Sequence, residues 1–147
     1  MSTSEYEQLV SKGLEAFSNG HSYLAMTCLE QAVAIQHSSI VASYLGYCLA
    51  VNRQEYESAI KLARDAVSEQ PNNPDFCLNL GRIYLLAGQY EDAVRMWRQG
   101  LMFSRDERII AELESHGPRK KPLFRQLHRD HPLNKYLGKL FTSLGLR

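Results

Sequence analysis

The sequence predicts an all-α fold, a solenoid of about three stacked helical hairpins closed by C-terminal capping helices. One pattern of small and large apolar residues occurs three times, about 34 residues apart, a period that marks a helical-hairpin repeat. Ala25, Ala59 and Ala93 are in step, as are Leu29, Ala63 and Trp97. So are Ala32, Ala66 and Gly100, and Val33, Val67 and Leu101. Between these stripes, short runs of Gly, Asn and Pro punctuate the chain at the places where helices should end. A single hairpin cannot bury its apolar face, so such a chain gains its core by stacking.

The elements follow in order. The first helix is predicted over about Glu5 to Ser18, where Leu9, Val10, Gly13, Leu14 and Phe17 recur at helical spacing. Asn19 and Gly20 end it, since both residue types tolerate positive φ. A second helix follows over about Ser22 to Gln36. Ser39 is the expected N-cap of the third helix, Ile40 to Asn52, because its hydroxyl can take a free amide hydrogen. The fourth runs from about Glu55 to Gln70, with Ala59, Ile60, Ala63, Ala66 and Val67 inward. Pro71, Asn72, Asn73 and Pro74 are the clearest break: Pro71 stops one helix, Asn73 caps the next, and Pro74 sits at its first position. The fifth and sixth helices are expected over Pro74 to Ala87 and Tyr90 to Ser104, with Gly88 between them. A seventh, Asp106 to Ser115, carries Ile109, Ile110 and Leu113. Arg119 to His131 reads as extended or irregular. Pro132 then opens an eighth helix to about Leu144, with Leu133, Tyr136, Leu137, Leu140 and Phe141 on one face.

Composition bounds the rest. A chain of 147 residues makes one compact unit and is short for two. Its net charge is +1, unevenly placed. Residues 1–116 hold 9 Lys and Arg against 15 Asp and Glu, a balance of −6, and residues 117–147 hold 8 against 1, a balance of +7. A basic tail of this kind suits a polyanion or the acidic body itself. Cys28, Cys48 and Cys77 lie in apolar helical stretches and read as small buried hydrophobes of a reducing compartment. The polar, acidic start does not resemble a signal peptide. The weakly polar run Ile40 to Val51 is shorter than the roughly 20 residues that span a bilayer. A soluble cytoplasmic protein with no membrane partner is expected.

The repeated residues resemble the tetratricopeptide repeat. The third unit carries Leu80, Gly81, Tyr84, Gly88, Tyr90, Ala93, Trp97, Gly100 and Leu101. The second carries Leu45, Gly46, Leu49, Tyr56, Ala59, Ala63, Ala66 and Pro71, with one extra residue in its internal turn. The first carries Gly13, Ala16, Gly20, Tyr23, Ala25, Leu29 and Ala32, but has Lys12 before its glycine where the family has an apolar residue. The resemblance covers residues 5–105, as repeats over about 6–38, 39–73 and 74–107. Residues 106–147 form a capping helix, a basic linker and a final amphipathic helix. The glycines and the aligned alanines let paired helices approach closely, and Leu29 and Trp97 are expected to fill the gap to the next hairpin.

The resemblance implies a right-handed superhelix whose concave face is lined by the first helix of each pair. The positions it assigns to partner contact are Val10, Leu14, Ser43, Tyr47, Leu78, Asn79 and Arg82. One subfamily grips the acidic tails of heat-shock chaperones with Lys, Asn and Arg at these positions. Only Asn79 and Arg82 suit that role here, so an apolar and aromatic groove for an amphipathic helix or extended peptide is expected instead.

No catalytic constellation stands out: there is no glycine-rich phosphate loop, HExxH or GxSxG. His128, Asp130 and His131 read as a polar linker before Pro132 and not as a metal site. Cys77 with His21 or His37 reads as core and not as a nucleophile and its base. No cofactor and no enzymatic activity are expected. The cluster of Arg119, Lys120, Lys121, Arg125 and Arg129, interleaved with Leu123 and Phe124, has no recognition-helix pattern, and nucleic acid is not the expected partner. The final helix reads as a cap on the last repeat, with occupation of the protein's own groove or a neighbour's as the alternative. The expected function is a protein-binding adaptor. The rivals are self-assembly through the end helices, giving a homo-oligomer, and polyanion binding by the tail.

Overall fold

The structure, a computed structural model, describes residues 3–117 and 132–145. The described residues are helical, with no strand among them. The chain divides into two compact units, Met1–Gly117 and Pro118–Arg147. The first holds α1 (Glu5–Ser18), α2 (Ser22–Ile35), α3 (Ser39–Arg53), α4 (Tyr56–Glu69), α5 (Pro74–Leu86), α6 (Tyr90–Leu101) and α7 (Glu107–His116). Helices α1 and α2, α3 and α4, and α5 and α6 pack as hairpins. Adjacent hairpins stack through α2 on α3, α3 on α5 and α4 on α5, and α7 rests on α6. This is an all-α solenoid.

Local chemistry sets the helix starts. Ser4 and Glu7 form a reciprocal capping box at α1, satisfying two free amides. Asn73 caps α5 through the Asp75 amide, with Pro74 at the first position as its sequence requires. Asp106 caps α7 through the amides of Arg108 and Ile109. The cap of α3 differs from expectation. Ser38 takes the Val41 amide, while Ser39 is the first helical residue and is buried, its hydroxyl donating to the Glu69 carboxylate. Helix α6 stops at Leu101, earlier than expected, because the chain must turn through Met102 and Phe103 to bring Asp106 to the head of α7.

The internal turns show what the extra residue in the second hairpin does. The first and third turns use Gly20 and Gly88 at φ 79° and 78°. In the second, α3 runs on to Arg53 and Gln54 takes the left-handed conformation at φ 56°. A non-glycine residue there is uncommon, since its Cβ crowds the backbone.

The core forms where paired helices nearly touch. Ala25, Ala59 and Ala93 are fully buried. A Cβ built on Gly46 would lie 2.8 Å from the Ala59 carbonyl oxygen, so α3 and α4 pack backbone against backbone. At the aligned glycines, Leu29 lies over Gly13 and Trp97 over Gly81. These two large residues therefore fill their own hairpins, where they were expected to fill the gap to the next one. Trp97 does both: its ring also lies 6.2 Å from that of His116 in α7. Gly100 meets Cys77 of α5 and Ile109 of α7, which seats α7 on the third hairpin.

In the second unit, α8 (Pro132–Ser143) opens on Pro132 as expected. The basic stretch Arg119 to His131, including His128 and Asp130, lies outside the described residues. Among the described residues, no helix is long and apolar enough to cross a membrane.

Trp97 is fully buried and touches both α5 and α7. Trp97→Ala is expected to lower the unfolding free energy by about 3–5 kcal/mol, the cost of deleting a buried aromatic. Urea unfolding followed by far-UV circular dichroism checks it.

Candidate partner-binding face

The first helices of the hairpins, with α7 after them, are joined by a series of side-chain contacts that changes in character along the unit. Between α1 and α3 the contact is aromatic. Phe17 meets Tyr44 edge-on, with centroids 4.8 Å apart and planes at 85°. It also meets Tyr47 at 5.4 Å and 71°. Such edge-to-face pairs place a positive ring edge on a negative face. The Tyr6 hydroxyl donates to Ser38 Oγ at 2.8 Å across the same gap. Between α3 and α5 the contact is polar: Asn79 Nδ2 donates to Ser43 Oγ at 3.1 Å, in the buried interior. Between α5 and α7 it is ionic. Arg82 Nε lies 2.6 Å from Glu112 Oε1, and Arg108 lies 2.6 Å from Asp75 and 2.7 Å from Asp106. His116 Nε2 stands 3.7 Å from the other Glu112 oxygen.

The seven assigned residues separate accordingly. Val10, Leu14 and Tyr47 are half-buried, and Val10 and Tyr47 pack on the core with an accessible edge. Ser43, Leu78 and Asn79 are 0%, 2% and 2% exposed. They cannot touch a partner directly, which corrects their assignment. The packing of α3 on α5 closes over them, and their polar groups satisfy each other. Arg82 is half-buried and already holds a carboxylate. The structure adds Phe17 and Tyr44 to the face. Both lie at helical spacing from assigned residues, Phe17 three beyond Leu14 and Tyr44 three before Tyr47, so their positions were readable. Glu112 was not, because its partner is 30 residues away.

Titration follows the geometry. Burial is the main cause that raises the Tyr44 hydroxyl above its ordinary value; Asp75 adds to it, and Arg108 and Arg82 oppose. The phenol thus lies within electrostatic reach of the α5 and α7 ion pairs. Burial pushes the Cys48 thiol up to about 12 and raises that of Cys77. Both are protonated at neutral pH, so neither is a poised nucleophile.

Residues 50–115 match the family model described as tetratricopeptide repeat. Over these residues the chain carries tetratricopeptide repeats. No curated protein matches it. Solved tetratricopeptide structures share the fold. The Sgt2 TPR domain of Aspergillus fumigatus aligns with a TM-score of 0.59 at 18% identity, covering 87% of this chain and 93% of that one. The second TPR domain of human RPAP3, solved in complex with the HSP70 peptide SGPTIEEVD, aligns with 0.60 at 15%, covering 78% and 99%. A mutant of the Thermobaculum terrenum O-GlcNAc transferase aligns with 0.60 at 23%, over 70% of this chain. This chain spans only 20% of that transferase's length. At these identities the likeness is one of fold.

The ionic end of the tetratricopeptide face carries a pH signature. The Asp106 carboxylate is held below its ordinary value of 3.8, first by the Arg108 side chain, with the Ile109 and Arg108 amides adding. A carboxyl lowered on folding contributes stability that is fully present above its unfolded value and is lost as pH falls through the folded one. Asp106→Ala is therefore expected to cost about 1 kcal/mol at neutral pH, as the loss of an N-cap does. That difference should shrink as the pH drops through the lowered value. Thermal unfolding of both proteins across acid pH checks the sign.

Proposed function

We propose that this chain is a non-catalytic protein-interaction module, an adaptor that takes a peptide or helix of a partner on the face formed by α1, α3 and α5. The observation that carries the reading is the row of half-buried Val10, Leu14, Phe17, Tyr44 and Tyr47, whose rings are fixed by mutual edge contacts. Rings held in place lose little entropy when a ligand lands on them, and fixed aromatic side chains are the usual anchors of an interface. The human RPAP3 domain, which shares this fold, was solved with a peptide bound, and that supports a peptide-binding use of the fold. The three free thiols fit a reducing compartment, and the cytoplasm is the proposed site of action.

The ligand chemistry should differ from that of an acidic chaperone tail. Arg82 is occupied by Glu112, and Ser43 and Asn79 are buried against each other. A carboxylate arriving there would have to displace an existing ion pair and bear its own desolvation. An amphipathic or extended peptide with apolar anchors instead covers exposed aromatic edge.

Peptides selected on the full chain from a random library should therefore carry spaced apolar residues. Their affinity should fall about tenfold or more in Tyr47→Ala, the loss of one anchor. The SGPTIEEVD peptide should bind far more weakly than the selected ones. Fluorescence anisotropy measures both. Selected peptides insensitive to Tyr47→Ala would move the site off this face, and tight binding of SGPTIEEVD would overturn the apolar specificity.

A further inference from the structure

The second unit carries a surface that the adaptor reading does not use. In α8 and the residue after it, Leu133, Tyr136, Leu137, Leu140, Phe141 and Leu144 recur at helical spacing, while Lys135 and Lys139 fall on the opposite side of the register. Three of the apolar residues, at i, i+4 and i+8, are largely open: Tyr136, Leu140 and Leu144 are 71%, 42% and 62% exposed. Residues 117–147 hold 8 Lys and Arg against a single Asp. We propose that α8 binds an anionic lipid surface, lying in the plane of the interface with its open apolar stripe turned into the acyl boundary.

Length, pattern and charge agree on that occupant. Twelve residues at a rise of about 1.5 Å make a helix of about 18 Å, well short of the roughly 30 Å hydrocarbon core. The helix lies along a bilayer and does not cross it. A polar face with lysines and an opposed face of leucine and aromatic residues is the composition of an interfacial helix. Tyr136 has an apolar ring and a polar tip, which suits the headgroup boundary. The basic residues that flank α8 in the sequence add an attraction to a negative leaflet, which salt screens within a Debye length. A nucleic-acid duplex would satisfy the charge but would leave the open stripe without a partner. The apolar stripe decides for lipid.

The test uses the full chain with vesicles of phosphatidylcholine containing about a third phosphatidylserine, where polybasic attraction is strong. Trp97 is fully buried, so a Tyr136→Trp variant adds a separate solvent-exposed reporter. The expected result is co-sedimentation with the anionic vesicles, at least about tenfold weaker partition to pure phosphatidylcholine, and weakening with salt. Emission of Tyr136→Trp should shift to the blue on binding. Leu140→Gln/Leu144→Gln keeps the net charge and should lose about tenfold or more in partition. Its helix content by far-UV circular dichroism should match wild type, which separates lost binding from a lost α8. No sedimentation with anionic vesicles would overturn the proposal, as would equal partition to neutral ones. Binding undiminished in Leu140→Gln/Leu144→Gln would overturn it too, since contact would then be by charge alone. Binding to duplex DNA without vesicle binding would make the segment a nucleic-acid contact and reject the lipid assignment.

Discussion

The fold of the first unit depends on the close approach of two helices at a glycine. In each hairpin the glycine of the first helix, Gly13, Gly46 or Gly81, receives the second helix. What it meets is Leu29, the Ala59 backbone with Ala63, or Trp97. The three occupants at the aligned position differ greatly in size. Where the occupant is Ala63, the helices close until backbone meets backbone; where it is Trp97, the indole itself fills the space. The same three hairpins therefore reach the same topology through different packing. Aligned alanines at 25, 59 and 93 make each approach possible.

That approach fixes the spacing of α1, α3 and α5, and the spacing decides what their shared face can offer. At the α1 and α3 end, aromatic rings hold one another and leave apolar edges open. At the α3 and α5 junction, Ser43 and Asn79 consume each other's hydrogen-bonding capacity in the interior. At the α5 and α7 end, Glu112 and Asp75 hold Arg82 and Arg108. The face is thus apolar and available at one end and ionically saturated at the other. A peptide with apolar anchors gains by binding the first region, while a free carboxylate finds the second already satisfied.

Much of this was legible in the sequence because a repeat writes its constraints several times. The helix order, the role of Asn73 and Pro74, and the close approach at Gly46 and Gly81 follow from period and residue type. Other features depend on distances that sequence does not carry. Ser38 and Ser39 are equally able to cap a helix, and only the burial of Ser39 against Glu69 separates them. The extra residue in the second hairpin was visible, but not that Gln54 would absorb it. Ser43, Leu78 and Asn79 stand in groove register, yet the closeness of α3 to α5 covers them. The pairing of Arg82 with Glu112 requires α7 to dock, which rests on the fit of Gly100 against Ile109. Whether a partner enters on the Phe17, Tyr44 and Tyr47 face is a question that peptide binding answers and repeat pattern does not.

The most direct measurement is the urea unfolding free energy of Gly46→Ala against wild type, because two effects oppose in sign there. In an ordinary helix interior, alanine is more favourable than glycine by about 1 kcal/mol. If the hairpin depends on backbone contact at Gly46, the added methyl group meets the Ala59 carbonyl oxygen, which no rotamer change can move. The variant should then lose about 1–3 kcal/mol, the usual cost of overpacking. A variant more stable than wild type would contradict the account, since the helices would not be held together at that glycine.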